Sequence, residues 1–383
     1  MIKNTDKNDT LLSGKTVQIA GAGPAGLVAA ITLAKEGVSV QVHEAQKEVG
    51  FRFQGDLQGL ENWTTEQDVL QWMHENGLNT GFEKRACHQG TGFDSRDKTY
   101  EISSSQALFY LVERGPGSTS LDSALLKQAR ELGVEIIFNS RLKHINGAGV
   151  LAIGPKAADA IAVGYHFDTD REDGFWLICD DNLAPKGYAY VLIMNGRGTI
   201  KSCMFSGFKQ EKLYVKRTVE AFKRLMGLNM INPQPHGGVG NFHLPLSAVH
   251  GVHPIVGEQA GFQDTLWGFG MRHAMASGIL ATQSLLRGDD YNKLWQKAFA
   301  AQMETSIVNR ALFNLLGNRG YQIFLRILSN SSEPRAILRK HYGPLWLKQF
   351  LLPWARWRYK SQRKDKSCDH INCNCVWCRG GKV

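Results

Sequence analysis

The sequence predicts an α/β protein, in which an N-terminal βαβ unit carries an inserted β-sheet and is followed by a helical C-terminal region. Residues 15–44 have the pattern of a β-branched strand, a glycine turn, an Ala/Leu-rich helix and a second strand. Residues 160–205 contain four apolar, strand-like segments separated by Gly, Asp and Pro turns, and residues 291–360 show helical periodicity. A chain of 383 residues, 43% of them apolar, is long enough for two or three such units.

The N-terminal βαβ unit contains a glycine pattern with a defined chemical use. The strand KTVQIA leads into Gly21, Ala22, Gly23, Pro24, Ala25 and Gly26, which match G-x-G-x-x-G at the start of the helix. In this pattern the first glycine allows a tight turn, the second lets the backbone approach a pyrophosphate, and the third allows close helix–strand packing. Glu44 ends the second strand, where a carboxylate accepts hydrogen bonds from ribose hydroxyls. These features predict a Rossmann-like, dinucleotide-binding unit.

Two further segments carry a family resemblance that spans about residues 14–290. They are RFQGDLQGLENW at residues 52–63 and VGEQAGFQDTLWGFGMRHAMASG at residues 256–278. With GAGPAG, they make the sequence similar to the FAD-dependent oxidoreductases of the geranylgeranyl-reductase-like group, within the aromatic-hydroxylase-like flavoprotein superfamily. The resemblance implies FAD as the cofactor, and it implies an enzyme.

The resemblance also implies which residues contact FAD. Besides the glycine turn and Glu44, the implied contacts are Ala45, Arg52, Phe53, Arg114, Leu142, Gly257, Glu258, Gly268, Gly270 and Met271. Glu258 stands where the family has an aspartate that binds the ribityl chain, and Leu266 stands where many relatives have proline. For Arg114, a surface ion pair is the alternative to a cofactor contact.

The implied domain organisation is a Rossmann-like FAD-binding domain with an inserted α+β substrate domain. The discontinuous FAD-binding domain comprises residues 14–60, 105–180 and 250–290, the substrate domain residues 61–104 and 181–249, the helical region residues 291–360, and a Cys-rich basic tail residues 361–383. On the substrate domain, residues 184–191 resemble a family segment that lines the substrate cavity. Tyr188 and Tyr190 are therefore candidate substrate contacts, with ordinary core packing as the alternative.

The expected function is a reductase or dehydrogenase that transfers hydride through the flavin to or from an apolar, isoprenoid or lipid-like substrate. NAD(P)H or ferredoxin is the expected electron donor. An FAD-dependent monooxygenase and a flavin-binding regulatory module whose tail contacts nucleic acid are the alternatives, and the second is the less favoured because only the tail suggests it. No acid–base constellation stands out in the sequence, and the catalytic residues are therefore left open.

The charge of the chain is concentrated at its C-terminal end. Net charge is +10, and the segment from Arg335 onwards holds 12 Lys+Arg against 2 Asp+Glu. Residues 345–360 mix tryptophans with lysines and arginines, a composition typical of a bilayer interface, although Pro353 is expected to kink or break a helix there. We expect a cytoplasmic protein, since no signal core or 18-residue apolar run occurs, with association to an anionic membrane surface as an option.

The last residues contain four cysteines at short spacing. Cys368, Cys373, Cys375 and Cys378 have the pattern C-x4-C-x-C-x2-C. Four thiolates can hold zinc or an iron–sulfur cluster, and zinc is favoured because the spacing is not that of a ferredoxin. The alternative is a group of thiols that binds no metal.

Overall fold

A computed structural model describes residues 12, 14–155, 158–242, 244–343 and 346–358. The four cysteines predicted to bind metal, and the whole of the tail from residue 361, lie outside the described residues.

The strands form four sheets. They are β1 Thr16–Ala20, β2 Ser39–His43, β3 Asp56–Glu61, β4 Lys84–Cys87, β5 Gln89–Asp94, β6 Thr99–Ser103, β7 Phe109–Arg114, β8 Glu135–Ile137, β9 Gly149–Leu151, β10 Ala160–Asp168, β11 Gly174–Cys179, β12 Tyr188–Met194, β13 Arg197–Met204, β14 Ile231–Gly240, β15 Val249–His250 and β16 His253–Pro254. A parallel sheet has the order β8-β2-β1-β9, and a larger, mostly antiparallel sheet has the order β14-β10-β13-β12-β11-β5-β6. Strands β3, β7 and β4 form a small antiparallel sheet, and β15 pairs with β16.

The described α-helices are α1 Pro24–Lys35, α2 Val69–Glu75, α3 Leu121–Glu131, α4 Glu211–Met226, α5 Met271–Arg287, α6 Tyr291–Trp295, α7 Ala301–Leu316, α8 Asn318–Ser329, α9 Pro334–Tyr342 and α10 Trp346–Arg358. Helices α1, α3 and α5 belong to the part of the fold around the parallel sheet, α4 packs on the seven-stranded sheet, and the helices after α5 make up the C-terminal region. None of the described helices is both long and apolar enough to cross a membrane.

The predicted βαβ unit is present as β1, α1 and β2. Helix α1 is buried along most of its length because it packs against the parallel sheet on one side and against α3 and α5 on the others. Its alanines permit this close packing, since a small side chain lets neighbouring backbones approach. The unit therefore forms the centre of the larger hydrophobic core.

The structure assigns some segments to other sheets than the predicted domain boundaries suggest. Residues 160–168 and 174–179, predicted within the FAD-binding part, pair in the seven-stranded sheet with the strands of the substrate part. The register is continuous from β10 to β13 to β12, so hydrogen bonding joins these strands into one unit. Periodicity alone could not reveal this, because it identifies strands but not their partners.

Helix α10 continues through Pro353, where the sequence predicted a kink or break. The helix packs against α7, and Ala355 is fully buried in a cluster with Ile307, Val308 and Ala311. Tertiary packing of this kind offsets the hydrogen bond that proline removes from a helix.

Candidate functional site

The glycine turn between β1 and α1 has two positions that the fold itself restricts to glycine. Gly21 has φ +106°, and a Cβ there would lie 2.3 Å from the Ala152 carbonyl oxygen. A Cβ on Gly26 would lie 2.0 Å from the Gly21 carbonyl oxygen. Gly23 differs, because its φ is −77° and a Cβ there would meet no described atom within 4 Å. Glycine at position 23 thus leaves open space beside the turn, as a bound pyrophosphate requires.

The start of α1 adds an electrostatic feature to this open space. The helix begins at Pro24, and no described side chain caps it. The first N–H groups of a helix have no partner within the helix, and they carry the positive end of its dipole. An anion at this position is therefore stabilised, and a phosphate fits both the charge and the space.

The carboxylate of Glu44, directly after β2, accepts a hydrogen bond from the glycine turn. One oxygen accepts the Ala22 N–H at 2.8 Å, and the other accepts the Gln46 N–H at 2.9 Å, with the exposed Ala45 between them in the chain. A carboxylate can accept about four hydrogen bonds, so Glu44 retains capacity for ribose hydroxyls.

The second predicted motif lies directly against the first. Ile255 extends the parallel sheet by bridging to Leu151, and the chain then turns at Gly257, whose φ is +61°. A Cβ on Gly257 would lie 2.9 Å from the Ala25 Cβ, and the Gly257 N–H donates to the Ser277 hydroxyl at 2.9 Å. The two glycine motifs are consequently in contact.

Helix α5 provides a second helix N-terminus near the first. It begins at Met271 after Gly268 and Gly270, and among the described residues no side chain caps it. Its first N–H groups, like those of α1, have no partner within the helix. They can therefore stabilise negative charge or donate hydrogen bonds to acceptor atoms of a flavin ring.

Three of the predicted contacts meet at the edge of the site. The guanidinium of Arg52 lies 2.6 Å from a Glu258 carboxylate oxygen, and it stacks 4.5 Å above the Phe53 ring. The other Glu258 oxygen accepts the Asn241 N–H at 3.2 Å. Arg52 remains 44% exposed, so its ion pair is open to a ligand.

Arg114 and Leu142 occupy different surroundings. Arg114 is buried in a bidentate ion pair with Asp122, at 2.8 and 2.9 Å, and its guanidinium covers the Phe53 ring at 4.2 Å. The structure thus contains the ion pair that was the alternative for Arg114, in the interior rather than on the surface. Leu142 lies half-buried in the irregular segment between β8 and β9.

The two candidate substrate residues lie on β12 with different environments. Tyr188 is buried, and its hydroxyl donates to the Trp267 carbonyl, so it connects β12 to the second motif. Burial raises the pKa of Tyr188 well above its ordinary value. Tyr190 is partly exposed on the same face of the sheet, with its ring centre 5.9 Å from that of Tyr188.

Sequence reasoning missed Asp264, which organises the loop before α5. This buried carboxylate accepts the N–H groups of Leu266 at 3.0 Å and Trp267 at 2.6 Å, and the hydroxyls of Ser306 and Tyr342. The available signal was a turn of the form Asp-x-x-x-Gly directly ahead of a helix. Sequence reasoning also missed a buried charged cluster around Lys201, for which the signal was a lysine inside the apolar strand segment IKSCMF.

Comparison with known proteins agrees with this geometry. Residues 15–154 match the family described as an FAD-binding domain. The chain is 24% identical to a digeranylgeranylglycerophospholipid reductase of Methanosphaerula palustris, over 87% of this chain and 91% of the relative.

Solved structures share the fold at lower sequence identity. A geranylgeranyl bacteriochlorophyll reductase-like protein from Thermoplasma acidophilum matches with a TM-score of 0.68 and 16% identity, over 91% of this chain and 97% of that protein. A triple variant of a flavin-dependent brominase matches with a TM-score of 0.59 and 14% identity, over 90% and 98% of the two chains. The predicted fold class and FAD as the cofactor are thereby confirmed, residues 15–154 form an FAD-binding domain, and the chain is similar to FAD-dependent oxidoreductases of the geranylgeranyl-reductase-like group.

Proposed function

We propose that this FAD-dependent oxidoreductase is a reductase or dehydrogenase that acts on an apolar, isoprenoid or lipid-like substrate. The observation that carries the proposal is the meeting of two glycine motifs at the uncapped starts of α1 and α5, beside the Arg52–Glu258 ion pair. When FAD is bound, it supplies hydride transfer, and the protein supplies position and electrostatics. The glycine turn and Glu44 would hold the adenosine diphosphate part, and Arg52 and the start of α5 would meet the flavin part.

An aromatic surface next to α5 supports an apolar substrate. Phe269 lies two residues before the helix and is partly exposed; its ring centre lies 4.6 Å from that of the buried Trp63 and 5.8 Å from that of the buried Phe109. Tyr190 adds a further ring on β12. Ligand sites for apolar molecules are lined by such side chains, with few polar groups. The name of the M. palustris relative refers to a lipid with geranylgeranyl chains, which has this chemistry.

The test follows flavin absorbance under anaerobic conditions. Purified protein is reconstituted with FAD and mixed in parallel with NADH, NADPH and reduced ferredoxin to identify the donor. The reduced enzyme is then mixed with a geranylgeranylated glycerolipid, and with its saturated counterpart as the control. We expect reoxidation and saturation of double bonds with the first lipid only. Failure to bind FAD, or no reoxidation by unsaturated lipid, would contradict the proposal, and an oxygenated product formed only in air would favour the monooxygenase alternative.

We further propose that α10 contacts an anionic membrane surface. Trp346, Phe350 and Trp357 are 64–76% exposed on this helix, beside Arg358. Aromatic rings partition to the headgroup region, and cations attract anionic lipid. We expect the protein to sediment with anionic liposomes at low salt, and the Trp346→Ser/Phe350→Ser variant to lose at least half of that binding. Leu246→Ser, which removes an exposed apolar residue elsewhere, serves as the control.

We also propose a metal site at Cys368, Cys373, Cys375 and Cys378, for which the spacing is the sole support. Elemental analysis of anaerobically purified protein is expected to find about one zinc per chain. Replacing Cys373 and Cys375 by serine should remove it, and the absence of both zinc and iron from the unaltered protein would contradict the proposal.

A further inference from the structure

A cluster of four ionisable side chains lies where the seven-stranded sheet packs on β3. Lys201 comes from β13, His236 from β14, His166 from β10 and Asp56 from the start of β3. Lys201 Nζ lies 2.6 Å from His236 Nδ1 and 3.6 Å from Asp56 Oδ1. His166 Nε2 lies 2.8 Å from the same carboxylate oxygen, and the two imidazoles stack with their centres 4.1 Å apart.

Burial makes this cluster electrostatically significant. Lys201 is 1% exposed and Asp56 is 4% exposed. Among the described residues, Asp56 is the one carboxylate within ion-pair distance of Lys201. Asp56 and the two histidines are spaced closely enough to hold a metal ion, but the Lys201 ammonium already lies against both Asp56 and His236. The Lys201 ammonium therefore takes the place that a metal cation would have in this cluster.

The hydrogen bonds define where the protons are. His236 Nε2 lies 3.0 Å from the Arg52 carbonyl oxygen, which can only accept, so Nε2 carries a hydrogen. His236 Nδ1 is then the acceptor for the Lys201 ammonium. Burial lowers the pKa of Lys201, and burial together with the Lys201 charge lowers the pKa of His236 to about 4. One proton of the Lys201 ammonium is thus directed at His236 Nδ1, and burial lowers the proton affinity of both nitrogens.

The cluster lies between the two regions that the function requires. On one side it contacts the backbone of Arg52, whose guanidinium pairs with Glu258 of the second motif. On the other side, Tyr190 is directly opposite Lys201 in the sheet. Gly164 pairs with both Lys201 and His236 and has no side chain that could separate them. The arrangement places this hydrogen-bonded proton between the predicted flavin contacts and the predicted substrate strand.

We propose that the cluster of Asp56, His166, Lys201 and His236 is a proton-binding site coupled to the flavin, which takes up one proton on flavin reduction and delivers it during substrate reduction. This inference rests on the proposed reductase function. Reduction of a carbon–carbon double bond needs one hydride and one proton. Bound FAD would supply the hydride and the cluster would supply the proton, so that two C–H bonds form as the double bond is lost. The proton taken up when the flavin is reduced would reach the cluster from solvent through the partly exposed His166.

The physical reason is charge compensation in a medium of low dielectric constant. Electrons added next to the Arg52 loop raise the proton affinity of nearby basic groups, most of all where burial has kept those groups neutral. The groups that face the Lys201–His236 hydrogen bond are Asp56, His166, Tyr190 and the Arg52 carbonyl. The Asp56 carboxylate and the Lys201 ammonium have opposite charges, so the cluster is neutral overall. An additional proton gives the cluster a net positive charge, which compensates the negative charge that the electrons bring to the flavin.

The first experiment counts protons without any substrate. The FAD-loaded protein and its FAD-loaded Lys201→Met variant are photoreduced anaerobically in weak buffer with a pH indicator. We expect about one proton more per flavin in the unaltered protein. An equal count for the two proteins would overturn the proposal.

The second experiment measures the midpoint potential of the bound flavin against pH. One extra coupled proton adds about 30 mV per pH unit to the slope for a two-electron couple. We expect this extra slope in the unaltered protein and in Lys216→Met, which removes an exposed lysine of α4, and its loss in Lys201→Met and His236→Asn. Equal slopes in all four proteins, each with FAD bound, would contradict the proposal. FAD binding and donor reduction can still succeed in that case, so the proposed function is tested separately.

Discussion

Among single residues, two glycines of the turn between β1 and α1 are needed for different reasons: Gly21 for the fold, and Gly23 for the predicted ligand. Gly21 has a positive φ and a carbonyl oxygen 2.3 Å from where its Cβ would be, so the protein needs glycine there even without a cofactor. Gly23 has neither restriction. A motif match alone does not distinguish these two roles, although both positions appear in the same pattern.

Gly23→Val should therefore leave the free energy of unfolding of the FAD-free protein nearly unchanged, while FAD affinity falls by about 100-fold or more, which is about 3 kcal/mol. A Cβ at position 23 meets no described atom within 4 Å, so the fold has room for a side chain there. The valine side chain would occupy the space that we assign to the pyrophosphate. Titration of flavin fluorescence and thermal unfolding measure the two effects. Gly21→Ala is the contrasting variant, because it should destabilise the FAD-free protein as well. Unaltered FAD affinity in Gly23→Val would contradict the placement of the pyrophosphate.

His236 predicts a pH dependence of stability in the FAD-free protein. Its folded pKa of about 4 lies below its ordinary value of 6.5, so the unfolded chain binds more protons between these limits. Stability is then lost as pH falls from 6.5 to 4, by up to about 3 kcal/mol from this residue. Denaturant unfolding of His236→Asn should show a shallower loss over that range than the unaltered protein. Parallel curves for the two proteins would show that His236 titrates normally.

At the scale of elements, close packing of α1 on α5 joins the two cofactor motifs. A Cβ on Gly278 of α5 would lie 2.5 Å from the Ala25 carbonyl oxygen of α1. The sequence predicted both helices, but it could not predict that they are neighbours, because about 250 residues separate them. The glycine at 278 has its explanation only in that contact.

Gly278→Ala should force α1 and α5 apart and lower the free energy of unfolding by about 1–3 kcal/mol, as overpacking does. FAD affinity should fall in the same variant because both helix N-termini move. Denaturant unfolding and FAD titration check the two effects. Gln283→Ala, on the outer side of α5, is the matched control and should change neither by much. A Gly278→Ala variant as stable as the control would show that the two helices do not approach so closely.

At the scale of the whole molecule, a buried arginine of the C-terminal helices holds the second motif in place. Arg310 of α7 is fully buried, and it donates to the carbonyls of Thr265 and Leu266 in the loop before α5. It also donates to the Lys186 carbonyl ahead of β12, and its guanidinium covers the Phe205 ring at 3.7 Å. The helical region is thus connected to both the loop before α5 and the seven-stranded sheet.

Arg310→Met should leave these carbonyls without donors, and the loss of a buried charged donor costs about 3–5 kcal/mol. We expect lower thermal stability together with weaker FAD binding, since the loop before α5 loses its support. Arg319→Met, at an exposed position of α8, is the control. Normal FAD affinity in a destabilised Arg310→Met variant would show that the arginine supports the fold but not the loop before α5.

The features of this protein that involve neighbouring residues could be predicted from its sequence. The glycine turn, Glu44 and the strands and helices around them depend on φ, on side-chain size and on periodicity, which act over a few residues. These features predicted a dinucleotide-binding α/β unit, and the family resemblance, carried in part by the second motif, added FAD as the cofactor.

Contacts between groups far apart in the chain depend on how the whole protein packs. Asp56, His166, Lys201 and His236 come from four strands spread over 180 residues, and only Lys201, a lysine inside an apolar strand, is unusual in its local sequence. Their proton affinities depend on burial and on charges a few ångströms away. Both the burial and these distances are set when the seven-stranded sheet packs on β3. The glycine turn could therefore be predicted from adjacent residues, whereas the grouping of the four ionisable side chains could not.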